Sequence, residues 1–288
     1  MSAPNDRPNL NDMDDKLRLR LGATFDAAAD GYEARPEYPD EIYTLLVDRG
    51  GLGIGSRVLE IGPATGLATM RLLDLGATVT AVEPGPALAA RLRERAAGRA
   101  LEIVVGSFET AELPAAHFDL VAAATSFHWV DPALGLVKAA GHLRPGGWLA
   151  LWWNIFGDPR GRPDPFEKAV GRILDEHAPQ LHFDAFAGST PHGLDTAART
   201  AEIDATGKFG PVEQHVVEWE GHHSARGIRD LFATYSPFLA LPEAKRSTTL
   251  DEIERVAREE FDDAVVRPYV TSLFLAQRRA DAGNGTTR

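Results

Sequence analysis

From residue 57 onward, short apolar runs alternate with stretches whose apolar positions recur at helical spacing. Residues 57–61 (RVLEI) read as a first strand, and residues 67–75 as a helix that Gly76 stops. Residues 78–82 (TVTAV) follow as a second strand, 86–97 as a helix ended by Gly98, and 101–105 (LEIVV) as a third strand. The central residues of 118–123 (FDLVAA) are apolar, which suits a strand covered on both faces. Residues 133–142 read as a helix, Arg144-Pro145-Gly146-Gly147 as a turn, and 148–153 as a fifth strand. Strand–helix alternation of this kind predicts a doubly wound, mostly parallel α/β sheet.

After Asn154 the rhythm changes. Residues 158–165 are rich in Pro and Gly, and the following fifty or so mix helical stretches, loops and histidines. Residues 212–220 (VEQHVVEWE) and 267–275 (RPYVTSLFL) read as late strands, which brings the sheet to seven. Helices are expected at 225–235 and 247–261. The division this predicts is a polar, mobile arm at 1–20 and a core at 21–153. A helical lid insertion follows at 154–208, and 209–280 complete the sheet, ahead of a frayed tail at 281–288.

Composition narrows the function. The 288 residues carry 30 basic and 42 acidic side chains, a net charge of −12, which argues against a general phosphate-backbone binder. There is no cysteine, so disulfides and thiolate metal sites are excluded. His177, His182, His192 and His215 lack the short spacing of a zinc site. His222 and His223 are neighbours on a strand, so their side chains point apart, and no metal is expected. The first twenty residues hold no apolar leader core, and no run is long enough to cross a bilayer, so a cytoplasmic location is expected.

The candidate chemistry clusters at strand ends. Val58-Leu59-Glu60-Ile61-Gly62-Pro63-Ala64-Thr65-Gly66 runs from a strand through a glycine turn into a helix. Gly62 and Gly66 allow close backbone approach to a ligand. Ala64 and Thr65 break the dinucleotide fingerprint, and the run Gly51-Leu52-Gly53-Ile54-Gly55 precedes the strand, so it is a decoy. Glu83-Pro84 follows about twenty residues on, where a carboxylate holds ribose hydroxyls or simply meets solvent. Ser107, Phe108 and Glu109 follow the third strand, offering an adenine edge and face, or a loop whose Phe packs inward. Thr125, His128 and Trp129 follow the fourth strand. His128 is the candidate general base, because imidazole titrates near neutrality; ordering the loop is the alternative. Tyr32, Tyr38 and Tyr235 either line a cavity or bury their rings.

The ordered set Glu60-x-Gly62-x-x-x-Gly66, Glu83-Pro84, Gly106-Ser107-Phe108-Glu109, Phe127-His128-Trp129 and Leu143-Arg144-Pro145-Gly146-Gly147 resembles class I S-adenosylmethionine-dependent methyltransferases. It is similar in particular to the bacterial small-molecule branch of methyltransferase type 11 that includes trans-aconitate methyltransferase-like proteins. The segments Phe25-Asp26-x-x-Ala29-x-x-Tyr32-x-x-x-Arg35-Pro36-x-Tyr38-Pro39 and Thr234-Tyr235-Ser236-Pro237-Phe238-Leu239-Ala240-Leu241-Pro242 match that branch too, so the resemblance covers roughly residues 25–278. It implies a Rossmann-like sheet with an N-terminal helix, S-adenosylmethionine as cofactor and S-adenosylhomocysteine as product. It implies Glu60 and Gly62 beside the methionine moiety, Glu83 on the ribose, and Ser107 and Phe108 around the adenine. Thr125 would lie near the methionine backbone, with Tyr32 and Arg35 closing from the N-terminal helix. Ala64 departs from the family, which often has glycine there, and suggests a tighter approach. Trp129, Tyr38 and Tyr235 would shape the acceptor pocket.

The implied reaction is O-, N- or C-methylation of a small molecule by in-line transfer, with no nucleic acid or membrane partner. The alternative is the same cofactor site used for other chemistry, such as cyclisation. A dehydrogenase is disfavoured by the missing fingerprint, and a non-catalytic binder by the complete set of cofactor positions.

Overall fold

The computed structural model describes residues 26, 29–157, 164–179, 181 and 190–280. The expected arm, Phe25, His182 and the tail lie outside the described residues. Parallel strands β1 (Arg57–Ile61), β2 (Thr78–Glu83), β3 (Leu101–Val105), β4 (Phe118–Ala124) and β5 (Leu143–Phe156) alternate with helices. The helices are α1 (Asp40–Asp48), α2 (Leu67–Asp74), α3 (Pro86–Arg95) and α4 (Pro132–His142). Then come α5 (Pro165–His177), α6 (Thr196–Ala205), β6 (Phe209–His223), α7 (Ala225–Ala233), α8 (Ser236–Leu239), α9 (Glu243–Glu260) and β7 (Val265–Arg278). The seven strands lie in the order β3-β2-β1-β4-β5-β7-β6, with β7 antiparallel to both neighbours.

Local chemistry explains where the helices begin. Pro86, Pro132 and Pro165 each stand in a first turn, where a missing N–H costs nothing. Asp131 caps α4 through the amides of Ala133 and Leu134, Asp164 caps α5 through Glu167, and Ser224 caps α7 through Gly227. One side of the sheet buries Leu46, Val58, Leu72 and Leu120 against α1 and α2. The other buries Val121, Leu136, Leu149 and Ile203 against α4 and α6. A third cluster, with Phe166, Ile173, Phe232 and Ile253, joins α5, α7 and α9.

Several boundaries move. The late strands are longer than expected because β6 and β7 pair from Phe209↔Arg278 to His223↔Val265. The Arg144–Gly147 stretch lies inside β5 and is no separate turn. Leu143 already pairs with Phe118, and Gly146 (φ 76°) takes up a register shift before Trp148 meets Leu120. β5 also runs to Phe156, three residues past the expected end of that strand at 153. Tyr32 lies in a 3-10 helix, Ala29–Ala34, with Arg35 just beyond it, so neither stands on a regular N-terminal α-helix. β6 is an edge strand, and from Val216 to His222 its even-numbered residues face solvent.

A polar chain crosses the antiparallel half of the sheet. Trp219 Nε1 donates to Thr271 Oγ1 at 2.9 Å, and Thr271 donates to Asn154 Oδ1 at 2.6 Å, linking β6, β7 and β5. Thr271→Val keeps the shape and removes both bonds. It should lower the unfolding free energy by about 1–3 kcal/mol, read by urea denaturation with an unchanged m-value.

Candidate functional site

The strand order reverses between β1 and β4, which places a crevice at their carboxyl ends. Gly62 closes the end of β1 at φ 65°, and a Cβ there would lie 2.7 Å from the Cβ of Ser126 after β4. Only glycine fits that approach. The Ser126 hydroxyl donates to the Ile61 carbonyl, and the Gly62 amide donates to Val82 O at 2.9 Å. Three strand ends are thereby tied together.

Glu83 completes the knot. Its carboxylate accepts from the Ala64 amide at 2.9 Å and the Gly85 amide at 2.8 Å while it is 3% exposed. Ala64 sits at φ 51°, a left-handed conformation that costs an alanine about 1–2 kcal/mol. That conformation gives a physical reason for glycine at the position where the resemblance noted a departure. Thr125 is also left-handed, at φ 52°, and is held by three bonds. Its amide donates to Trp152 O, and its hydroxyl oxygen accepts from Tyr38 and from the Asn154 amide. Strain retained in this way concentrates at functional sites.

These ends open into one cavity of about 1010 Å³. Gly62, Ala64, Glu83, Pro84, Ser107, Phe108 and Glu109 line one part of it, and Thr125, His128, Trp129 and Tyr235 another. Tyr32 and Arg35 border it from the N-terminal side. The Arg35 guanidinium lies 4.6 Å from the Tyr32 ring centre and donates to Thr234 Oγ1 and O at 3.2 and 2.9 Å. Phe108 both faces the cavity and packs in the core, 3% exposed, so the two readings of that loop merge.

Three expected site residues are not on the wall. Glu60 is fully buried behind it and accepts from Thr69 Oγ1 at 2.6 Å. Gly66 (φ 91°) starts α2, where a Cβ would strike Leu92. Tyr38 does not line the acceptor side; its ring meets Trp152 edge-on, and its hydroxyl donates to Thr125 at 3.0 Å. It supports the wall from behind.

The cavity also recruits residues outside the expected set: Asp26, Trp153, Asn154 and His192. Asp26 accepts from the Ala87 and Leu88 amides at 2.7 and 3.0 Å, which caps α3 from a distant segment. Trp153 and Asn154 lie near the carboxyl end of β5, which runs parallel to β4, and that position was a usable signal. His192 carried none, because it reaches the site only through the folding of the insertion. Trp153 Nε1 donates to His128 Nδ1 at 3.1 Å, and the His128 and His192 rings lie 6.0 Å apart. Burial, aided by His192, Arg35 and Arg199, pushes the His128 pKa down to about 3. Burial and Arg199 take His192 down to about 4.

The comparisons agree with this geometry. Residues 59–151 match the family model described as a methyltransferase domain. An uncharacterized methyltransferase of Mycobacterium tuberculosis is 29% identical over 259 residues, covering 88% of this chain and 95% of its own. The phosphoethanolamine N-methyltransferase 2 structure from Haemonchus contortus is similar at TM-score 0.55 and 14% identity, over 93% of this chain and 60% of that one. The YcgJ protein of Bacillus subtilis is similar at TM-score 0.51 and 12% identity, over 84% of this chain and all of that one. The sheet is the Rossmann-like one of the methyltransferase class. Residues 59–151 form a methyltransferase domain, and the chain is similar to a methyltransferase over most of its length.

Burial pushes the Glu83 pKa up to about 7, against the two amides that favour its charge. Glu60 also rises to about 7 through burial, against its Thr69 bond and with help from Glu83. A folded pKa above the unfolded value of 4.5 means stability is fully present below pH 4.5 and is lost as pH rises through 7. Each group accounts for on the order of 3 kcal/mol of that loss. Glu60→Gln should therefore flatten the decline in unfolding free energy between pH 5 and 8, measured by urea denaturation. A slope equal to that of the wild type would remove Glu60 as its source.

Proposed function

We propose that the cavity holds S-adenosylmethionine at its Gly62–Glu83–Phe108 end and a small-molecule acceptor at its His128–Trp129–Tyr235 end. The observation that carries this reading is the convergence of the loops after β1, β2, β3 and β4 on one cavity. The chemistry of the wall fits the cofactor. Each Glu83 oxygen accepts one amide and keeps a lone pair for a ribose hydroxyl. Glycine at 62 lets the chain approach a ligand closely, and Phe108 with Leu88 supplies apolar surface. When bound, the cofactor supplies a methyl group already activated by a sulfonium.

The chain's own part is then alignment, worth about 7–11 kcal/mol when reacting atoms are held in line. Tyr32 and Arg35 would close the cofactor end from the N-terminal segment, with Glu109, Pro84 and Ser107 around the adenosine and Thr125 beside the methionine part. Glu60 and Gly66 would act from behind the wall by positioning β1 and α2. The described part of the 154–208 segment is read as a cover, since Pro191, His192 and Gly193 border the cavity. A concave cavity of about 1010 Å³ favours a small acceptor over a flat macromolecular surface. No helix among the described residues is long and apolar enough to cross a membrane. We read the enzyme as cytoplasmic, and the resemblance to the trans-aconitate branch as a guide to acceptor size.

Calorimetry with S-adenosylhomocysteine should show binding, with no heat from NAD above dilution. Glu83→Ala should weaken that binding at least tenfold with the fold intact by circular dichroism. Ribose hydroxyls favour the ionised carboxylate, so binding should lower the Glu83 pKa and release a proton near neutrality. The affinity should accordingly rise from pH 6 to pH 8. A flat pH profile together with wild-type affinity in Glu83→Ala would sink the ribose assignment.

A further inference from the structure

His128 occupies the 3-10 turn Phe127–Trp129 after β4, and Trp153 lies beside it on β5. An indole N–H can only donate. Its bond to Nδ1 therefore requires a lone pair at Nδ1, which leaves the proton of the neutral ring on Nε2. Among the described residues nothing hydrogen-bonds Nε2.

The groups facing this ring oppose a second proton. Arg35 comes from the segment before α1, His192 from the turn before α6, and Arg199 from α6 itself. The Arg199 guanidinium is 2% exposed and touches the His192 ring. The nearby carboxylates are already engaged: Glu202 pairs with Arg199 at 2.6 Å, and Asp195 caps α6 through Ala198. Protonation at Nδ1 would set one N–H against another and add a cation beside Arg199.

We propose that Trp153 is a positioning residue that holds His128 as a neutral Nε2–H donor, so that His128 binds the acceptor by donating a hydrogen bond and takes no proton from it. The proposal rests on reading this end of the cavity as the acceptor site, and it replaces the expectation of a general base. It also narrows the acceptor, which must present an oxygen or nitrogen lone pair to His128. A nucleophile that must lose a proton would need another group to take it. Removing the indole N–H frees the ring to exchange tautomers, although the apolar packing of residue 153 survives in phenylalanine.

The test is long-range proton–nitrogen NMR on protein labelled with ¹⁵N-histidine, with His128 assigned by loss of its signals in His128→Gln. In the wild type, Nε2 should read as protonated and Nδ1 as unprotonated, with no titration from pH 8 to 5.5. In Trp153→Phe the two nitrogens should move toward a tautomer mixture. An Nδ1-protonated wild-type ring, or a titration midpoint near 6.5, would overturn the proposal, and so would an unchanged His128 spectrum in folded Trp153→Phe. If that variant does not fold, the wild-type titration decides alone. None of these readouts needs methyl donor or acceptor, so failure of the methyl-transfer reading is separately visible as absent S-adenosylhomocysteine binding.

Discussion

A carboxylate with 3% exposure, bonded to two amides from different loops, governs the geometry of this molecule. Glu83 joins the turn after β1 to the start of α3, and it holds Ala64 in a conformation alanine resists. Because the Gly62 and Ser126 contacts bind the same strand ends, the rim is a single rigid unit and not a set of independent loops. The cost of burying the charge is visible in the raised pKa. A ligand that donates hydrogen bonds to the remaining lone pairs offsets part of that cost. The same interaction that costs free energy through burial therefore favours a bound ribose.

The parts legible in the sequence were those set by short-range chemistry. Glu83 follows the glycine turn at a distance fixed by one helix and one strand, so its arrival at the same rim could be counted out. The core strands announced themselves through runs buried on both faces. Tyr38 was not legible in this way, since a tyrosine at a cavity edge and one supporting Thr125 from behind have the same local pattern. His192 meets His128 only through the folding of the insertion, and no periodicity reports it. The Arg144–Gly147 stretch shows the reverse case, in which strong turn chemistry was absorbed into a strand by pairing with β4.

The polar chain from Trp219 through Thr271 to Asn154 extends further. Asn154 Nδ2 reaches the Pro36 and Glu37 carbonyls at 3.5 Å, and the Asn154 amide donates to Thr125. The outer strand is thus connected, bond by bond, to the segment that carries Arg35 over the cavity. Buried networks of this type specify one arrangement when every member is satisfied. The antiparallel extension accordingly braces the N-terminal cover as well as completing the sheet.

Among the described residues, the edge strand β6 leaves a margin of fifteen residues of backbone without a neighbouring strand on one side. Such a margin is a template on which a neighbouring molecule can add its own strand. Glu218 and Glu220 stand exposed along it, on a protein that already carries twelve excess negative charges. Two such margins brought side by side would place carboxylates against carboxylates, which disfavours the pairing. The acidity that argues against a general phosphate-backbone binder therefore also guards against fibrous self-association.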